Sequence, residues 1–265
     1  MKQISILLLS LLVIGLSMTS CRKKINKQTD KVYSRHMQDH IPLTIYSTPM
    51  PDDKRELNLL LFNDGQDIDS LEMAKTMENL YKQKEIGALL VVAVHAVNRM
   101  QIYGVDGIPD FQQRGSKAGA YNAFIKNELF DFIKKKAGVR SFKTVAIAGF
   151  SLGGLSAFDV AWNNTEKFDK VGVFSGSFWW RDKDISDSSY SDSLNRIMYH
   201  KIKTSRKKPK LAYWFYAGAA EETSDRDKNG VIDVIDDTKD IIQIIQKKKD
   251  GATDQIVYIE SPTGK

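Results

Sequence analysis

The sequence has little of several residue types that would place a protein in a special class. Its 265 residues include only 1 cysteine, 6 prolines and 4 histidines. A single cysteine excludes a disulfide-stabilised scaffold, and the low proline content excludes a collagen-like chain. No apolar run is long enough to suggest a membrane span, and the longest lies near the start of the chain. Hydrophobic residues make up 42% and charged residues 27% of the chain, which indicates a globular protein and excludes a disordered one.

The charge balance is only mildly basic. Lysine and arginine total 39 against 33 aspartates and glutamates, a formal net charge of +6. Three local basic runs, at 134–136, 201–210 and 247–249, lie on or beside amphipathic helical patterns. We interpret these runs as solvated helix faces and predict no nucleic-acid partner.

The one apolar run, residues 4–17, follows Lys2 and leads through small residues to Cys21. As a helix it would span about 21 Å, short of a hydrocarbon core of about 30 Å. This pattern predicts a signal peptide over residues 1–20. It resembles a bacterial lipoprotein signal with an acylated Cys21, although Met18 departs from the usual leucine; a plain signal peptide is the alternative. We therefore expect export, a polar tether over residues 21–30, and membrane attachment in the cell envelope, periplasmic or surface.

The rest of the chain, residues 31–265, alternates between strand-like and helix-like segments and contains no interior linker. Short apolar runs typical of buried parallel strands occupy 57–62, 88–95, 144–148, 171–174, 211–216 and 256–259. Helical periodicity occupies 117–136, 152–162 and 238–248. The alternation predicts a single α/β domain with a mostly parallel sheet, to which weakly alternating residues 32–48 add antiparallel edge strands.

The string Gly149-Phe-Ser-Leu-Gly153 fits the pattern G-x-S-x-G between a predicted strand and a predicted helix. That context is typical of a nucleophile elbow, in which a strained turn presents the serine at the edge of the sheet. Ser151 is therefore the candidate nucleophile, and the backbone N–H of Leu152 is a candidate oxyanion donor. A glycine-rich turn with an unimportant serine is the alternative.

The second oxyanion donor should come from a loop after an earlier strand. Strand 57–62 runs into Asn-Asp-Gly-Gln-Asp, residues 63–67, in which Gly65 permits a tight turn. The backbone N–H of Gln66 is the candidate, and an ordinary helix-capping turn is the alternative.

Four strings in order resemble the esterase branch of the α/β-hydrolases, related to esterase D and enterochelin esterase. They are NDGQD at 63–67, HAVNR at 95–99 with Tyr-Gly at 103–104, GFSLGG at 149–154 and SGSFWW at 175–180. The resemblance implies an α/β-hydrolase fold, hydrolysis of a small-molecule ester through an acyl-enzyme, and no cofactor for catalysis. It suggests that Trp179 and Trp180 lie near the site, unless they are core aromatics. Arg99 either binds an acidic substrate group or forms an ion pair.

The catalytic acid of this family follows a late strand. Strand 211–216 leads to Glu221, three residues beyond Gly218, where the resemblance places an acid. Glu222 is the second candidate for the catalytic acid. The alternative is that both glutamates are solvated loop residues without a catalytic role.

The next residues have the spacing of a calcium-binding loop. Counting from Asp225, oxygen-bearing side chains fall at positions one, three, five, nine and twelve, with Gly230 at six. The predicted ligands are Asp225, Asp227, Asn229, Val231 through its carbonyl, Asp233 and Asp236. The loop predicts a structural Ca²⁺ ion, although position twelve is an aspartate and no helix precedes it. An Asp-rich turn capping a helix is the alternative.

A serine nucleophile needs a base, and the four histidines are His36, His40, His95 and His200. None follows Glu221, whereas the resemblance places the catalytic histidine just after the last strand. We expect a truncated chain, and so an incomplete domain, with feeble or no ester hydrolysis; recruitment of another histidine, His95 among them, is less favoured. The alternative function is a catalytically silent, calcium-dependent binding lipoprotein for a carbohydrate or siderophore. In either case we expect a monomer.

Overall fold

The computed structural model describes residues 24–248 and 255–264. The predicted signal peptide and Cys21 lie outside this part of the chain. The prediction of a tether is wrong for residues 26–30, because they belong to the first strand and pair with the second from Asn26 opposite Ser47. This strand has one neighbour and exposes most of its side chains, so its sequence is polar and gives no apolar signal.

The described residues form one eight-stranded sheet with the spatial order β1-β2-β4-β3-β5-β6-β7-β8. The strands are β1 (Asn26–Ser34), β2 (Asp39–Ser47), β3 (Asn58–Asn63), β4 (Leu89–Val94), β5 (Val145–Phe150), β6 (Lys170–Phe174), β7 (Ala212–Gly218) and β8 (Ile256–Ser261). β1, β2 and β4 pair antiparallel, and every pair from β4 to β8 is parallel. The predicted α/β fold with antiparallel N-terminal edge strands is confirmed.

Helices connect the strands and cover the sheet. They are α1 (Met73–Lys82), α2 (Arg99–Ile102), α3 (Ala118–Phe124), α4 (Phe130–Ala137), α5 (Ser151–Asn163), α6 (Asp192–Asn195), α7 (Ile197–Thr204) and α8 (Asp233–Lys248). A π-helical turn, Ile125–Leu129, joins α3 to α4, and single 3₁₀ turns occupy Lys54–Glu56 and Gly65–Asp67. None of the described helices is both long and apolar enough to cross a bilayer.

The main core lies on one face of the sheet, where α5 is buried from Leu152 to Trp162. Phe158 of α5 packs against Phe178 and Phe215 there. A smaller cluster on the opposite face includes Met77 of α1. Both faces of the central strands are therefore covered, which explains their nearly continuous apolar sequences.

The topology fixes where a site can form. β4 lies on one side of β3 and β5 on the other, so the direction of strand order reverses at β3. In open α/β sheets, ligands bind beside the carboxyl ends of the strands at such a point. Because β3 and β5 to β8 are parallel, the loops that follow them meet at this same edge.

Candidate active site

Ser151 occupies a sharp turn between β5 and α5. Its backbone φ is +51°, in the left-handed region that non-glycine residues rarely adopt, and its side chain is exposed. A Cβ atom on Gly149 would lie 2.6 Å from the carbonyl carbon of Gly153, which explains the need for glycine. The local structure is thus the strand–turn–helix arrangement that the motif predicts.

The hydroxyl of Ser151 faces the loop after β6. Its Oγ lies 3.1 Å from Oγ of Ser177, whose backbone N–H donates to the Ser151 carbonyl at 3.2 Å. Ser177 is buried, with 2% exposure. Ser177 is not among the site residues predicted from the sequence, although it lies in the string SGSFWW, three residues after β6.

Two backbone N–H groups at this edge of the sheet belong to the first residues of a helix or turn. Leu152 is the second residue of α5 and Gln66 is the second residue of the 3₁₀ turn, so neither N–H has an acceptor within its own helix. The Gln66 side chain is fixed, because its Oε1 accepts from the Ala96 N–H at 2.9 Å and its Nε2 donates to Asp64 at 3.1 Å. The loop after β3 is therefore held in place while its backbone N–H remains available.

Asp64 and Asn63 join this loop to the elbow. Asn63 Nδ2 donates to the Gly153 carbonyl at 2.8 Å, and the Asp64 carboxylate lies so close to Gly153 that a Cβ there would be 2.5 Å from Oδ2. Arg99 Nε donates to Asp64 Oδ1 at 2.9 Å. The ion pair expected as one of the two roles of Arg99 is thus present, and its guanidinium holds the loop.

Two buried tyrosines form hydrogen bonds with the same loop. The Asp64 N–H donates to the Tyr103 hydroxyl at 2.9 Å, and the Tyr121 hydroxyl donates to Asn63 Oδ1 at 2.5 Å. Burial raises the pKa of both tyrosines, so both stay neutral donors and acceptors at physiological pH.

The two glutamates after β7 have different surroundings. Glu221 turns back to the sheet edge, where its Oε1 accepts from the Gly218 N–H at 3.0 Å and from the Ser175 hydroxyl. Glu222 instead accepts from the Val234 N–H at 2.8 Å, at the start of α8, and burial raises its pKa. Glu221 therefore contacts the loop after β6, which also carries Ser177.

All four histidines lie in the described residues, and none hydrogen-bonds to Ser151 or Glu221. His95 Nε2 lies 2.8 Å from the Thr44 hydroxyl, and burial lowers its pKa. His200 Nδ1 lies 3.3 Å from the Ser193 carbonyl. His40 packs edge-on against Tyr33 at the β1–β2 turn, which also contains His36. The structure therefore gives Ser151 no imidazole partner.

The adjacent tryptophans differ in exposure. Trp180 is fully buried, beneath the guanidinium of Arg114 at 4.8 Å from its ring centre. This makes Trp180 a core aromatic. Trp179 is half-buried and lines a cleft with residues of the loop after β7.

The Asp-rich loop is closed by its own hydrogen bonds. Asp225 accepts from the N–H groups of Asn229 and Gly230, and the Asn229 amide donates to Asp227 and Asp236. Asp233 pairs with Arg226 at 3.2 Å. Within residues 24–248 and 255–264, no three His, Cys, Asp or Glu side chains are placed to hold a metal ion. Asp233, one of the predicted ligands, is held by Arg226 in this arrangement, and the calcium site stays a prediction from the spacing of the loop.

Residues 34–263 match the model of the Esterase family, whose description reads "Putative esterase". None of the curated protein sequences compared with the chain matches it.

Solved esterase structures share the fold at low sequence identity. The enterobactin esterase of Shigella flexneri is 16% identical with a TM-score of 0.64, and the match covers 90% of this chain and 54% of that chain. The chain thus spans about half the length of that protein. A ferulic acid esterase is 15% identical with a TM-score of 0.62, covering 91% and 90%. Siderophore hydrolase EstB from Aspergillus nidulans is 15% identical with a TM-score of 0.64, covering 90% and 88%. At these identities the likeness establishes the fold alone.

Proposed function

The chain belongs to the Esterase family of α/β-hydrolases, and from this we propose that it hydrolyses a carboxylic ester through an acyl-enzyme on Ser151. The observation that carries the proposal is the strained turn at Ser151, which presents an exposed hydroxyl at the first residue of α5. A backbone conformation of this kind persists only where the surrounding structure enforces it, and such strain concentrates at functional sites.

The chemistry follows from these groups. Ser151 Oγ attacks the ester carbonyl carbon while its proton passes to a base, and the carbonyl oxygen becomes an oxyanion. The N–H groups of Gln66 and Leu152 stabilise that oxyanion. When the tetrahedral intermediate collapses, the bond between the carbonyl carbon and the alcohol oxygen breaks. The alcohol leaves with the proton that the base received from Ser151. Water then attacks the acyl-enzyme in the same manner and releases the acid.

The described residues place no general base beside Ser151. Among the described residues, the side chain that hydrogen-bonds to Ser151 Oγ is that of Ser177, another hydroxyl, which does not accept a proton at neutral pH. Glu221 is the proposed acid that would orient an imidazole, but none of the four histidines contacts it. Loss of the base in a serine triad costs about 10⁶ in rate, or about 8 kcal/mol. We therefore expect the chain to hydrolyse esters very slowly.

Covalent labelling tests the nucleophile without requiring turnover. An excess of a reactive fluorophosphonate is incubated with the folded protein, and the modified peptide is identified by mass spectrometry. We expect slow labelling of Ser151, none in Ser151→Ala, and unchanged labelling in Ser70→Ala, which removes an exposed serine. Equal labelling of Ser151→Ala and the unmodified protein would remove the basis of the esterase proposal.

The absence of an imidazole beside Ser151 favours one alternative, a catalytically silent binding protein on the same scaffold. Such a protein would bind an ester ligand without cleaving it and without slow labelling of Ser151. Calcium dependence of that binding remains a prediction; calorimetry showing no heat with calcium, and melting unaffected by a chelator, would exclude it.

Attachment to a membrane is a separate proposal that rests on the sequence of residues 1–21. We expect the expressed full chain to partition with membranes and to incorporate a labelled fatty acid. Cys21→Ala should abolish both. Incorporation of the label that survives this substitution would disprove the lipid anchor.

A further inference from the structure

A cleft of about 430 Å³ lies between the loop after β6 and the loop after β7. Its lining includes Trp179 and Arg181 from the first loop and Glu222 and Ser224 from the second. Because both loops follow strands of the parallel sheet, the cleft opens at the same edge as Ser151. Ser177, which touches Ser151, is only two residues before Trp179.

Arg181 is the unusual member of this lining. Its Nε is buried and has no hydrogen-bond partner among the described residues. Asp184 interacts with the charge of Arg181, but its carboxylate accepts hydrogen bonds from Ser186 rather than from the guanidinium. The guanidinium packs over the ring of Phe111, 5.4 Å from the ring centre. Burial of a guanidinium N–H without an acceptor costs free energy. We therefore expect this group to bind a partner in the functional protein.

The acidic residues of the cleft do not supply that partner. Glu222 accepts from the Val234 N–H, and Asp225 accepts from the N–H groups of Asn229 and Gly230. Asp233 pairs with Arg226. Arg226 also binds Asp192 and Asp237, which neutralise its charge. Arg181 is thus the cation in this lining that lacks an acceptor.

The surroundings of Arg181 indicate the shape of its ligand. The half-buried ring of Trp179 and the exposed side chain of Ile185 give the cleft an apolar wall. A planar guanidinium binds a carboxylate through two parallel hydrogen bonds, and a neighbouring indole packs well against an aromatic ring.

We propose that the cleft beside Ser151 is a substrate subsite in which Arg181 binds an anionic group and Trp179 packs against an attached ring. The substrate class is therefore an ester that carries a carboxylate or similar anion. This inference rests on the proposed esterase function for its link to catalysis, but the binding itself does not depend on turnover.

Binding of benzoate and of its neutral analogue benzamide tests the subsite. Both are titrated into the folded protein and followed by calorimetry and by tryptophan fluorescence. A charge-assisted pair with Arg181 should make benzoate bind at least about tenfold more tightly than benzamide. Arg181→Gln should remove this preference, and Arg181→Lys should retain part of it. Trp179→Ala should weaken both ligands.

Two controls separate the possible failures. Arg140→Gln removes the same charge from an exposed site between α4 and β5, at the opposite edge of the sheet, and should leave the preference intact. Ser151→Ala should bind benzoate normally, so loss of the esterase proposal would not affect this result. Equal affinities for benzoate and benzamide in the unmodified protein, or a preference that survives in a folded Arg181→Gln, would overturn the subsite. The first of these outcomes needs no variant to fold.

Discussion

Four residues with left-handed backbone conformations lie at the edge of the sheet that carries Ser151. Asp64, Asn98, Ser151 and Ser175 all have positive φ values, between +50° and +59°. Each follows the carboxyl end of a different strand, from β3 to β6. Left-handed conformations cost non-glycine residues about 1–2 kcal/mol each. These four are among nine described non-glycine residues with positive φ, and the strain at Ser151 is of the kind found at functional sites.

The sequence motif predicted some of these residues and could not predict others. The glycines around Ser151 predict the elbow, because the strand and the helix approach each other too closely for a Cβ atom. Ser175 and Ser177 lie within the string SGSFWW, but their roles could not be predicted from it, since they depend on contacts with Ser151 and Glu221, which are distant in sequence. Likewise, the sequence left Arg99 with two roles because only the fold brings Asp64 to it.

Substitution of Gly149 tests the packing of the elbow. A Cβ there meets the backbone of Gly153 at 2.6 Å, and backbone cannot move aside as a flexible side chain can. Gly149→Ala should lower the free energy of unfolding by about 2 kcal/mol or more, measured by urea denaturation. The matched control is Gly87→Ala, where the nearest atom is 4.0 Å away and the expected change is within about 0.5 kcal/mol. Equal effects of the two substitutions would contradict this packing.

At the scale of elements, the strands were more predictable than the helices. The buried strands were found within about two residues of their bounds, because runs of apolar residues covered on both faces are distinctive. The single helix predicted at 117–136 is interrupted by a π-helical turn, which leaves no periodic signal. α8 begins at Asp233, five residues earlier than the apolar periodicity predicts, because Glu222 accepts from the N–H of Val234 in its first turn.

A buried ion-pair network fastens α8 to the rest of the domain. Asp237 of α8 is fully buried and accepts from Arg226 at 2.7 Å and from Arg196. Its removal would leave two buried guanidinium groups without their central partner. We expect Asp237→Ala to destabilise the protein by about 3–5 kcal/mol.

The control for this prediction is Asp53→Ala, which breaks the exposed pair with Arg55 and should change stability by less than about 1 kcal/mol. Urea denaturation measures both variants. A small effect of Asp237→Ala would show that the network does not secure α8.

At the scale of the whole molecule, one part of the sheet lies uncovered. The face formed by Phe174, Trp214 and Tyr216 continues onto β8, where Val257 and Ile259 are 48% and 44% exposed. Among the described strands, β8 pairs only with β7, so its other edge is open. Neither the strand order nor this exposure could be read from the sequence, because both depend on which elements pack together. An open edge with apolar side chains favours association between copies.

We therefore expect copies of the predicted monomer to associate first at this edge as the protein concentration rises. The double substitution of Val257→Lys and Ile259→Lys should reduce concentration-dependent association in sedimentation velocity. Leu194→Lys, at a 58% exposed position on α6, is the matched control and should leave association unchanged. Association that is unaffected by the double substitution, or absent throughout, would show that the open edge does not limit the monomer.

Chemical rescue examines the link between this fold and catalysis. Imidazole added to the buffer can act as the base that the four histidines do not provide at Ser151. With 4-nitrophenyl acetate as substrate, we predict that imidazole raises the rate of the unmodified protein at least about tenfold above that of Ser151→Ala at the same imidazole concentration. Equal rates for the two proteins across the imidazole range would contradict Ser151 as the nucleophile of an esterase.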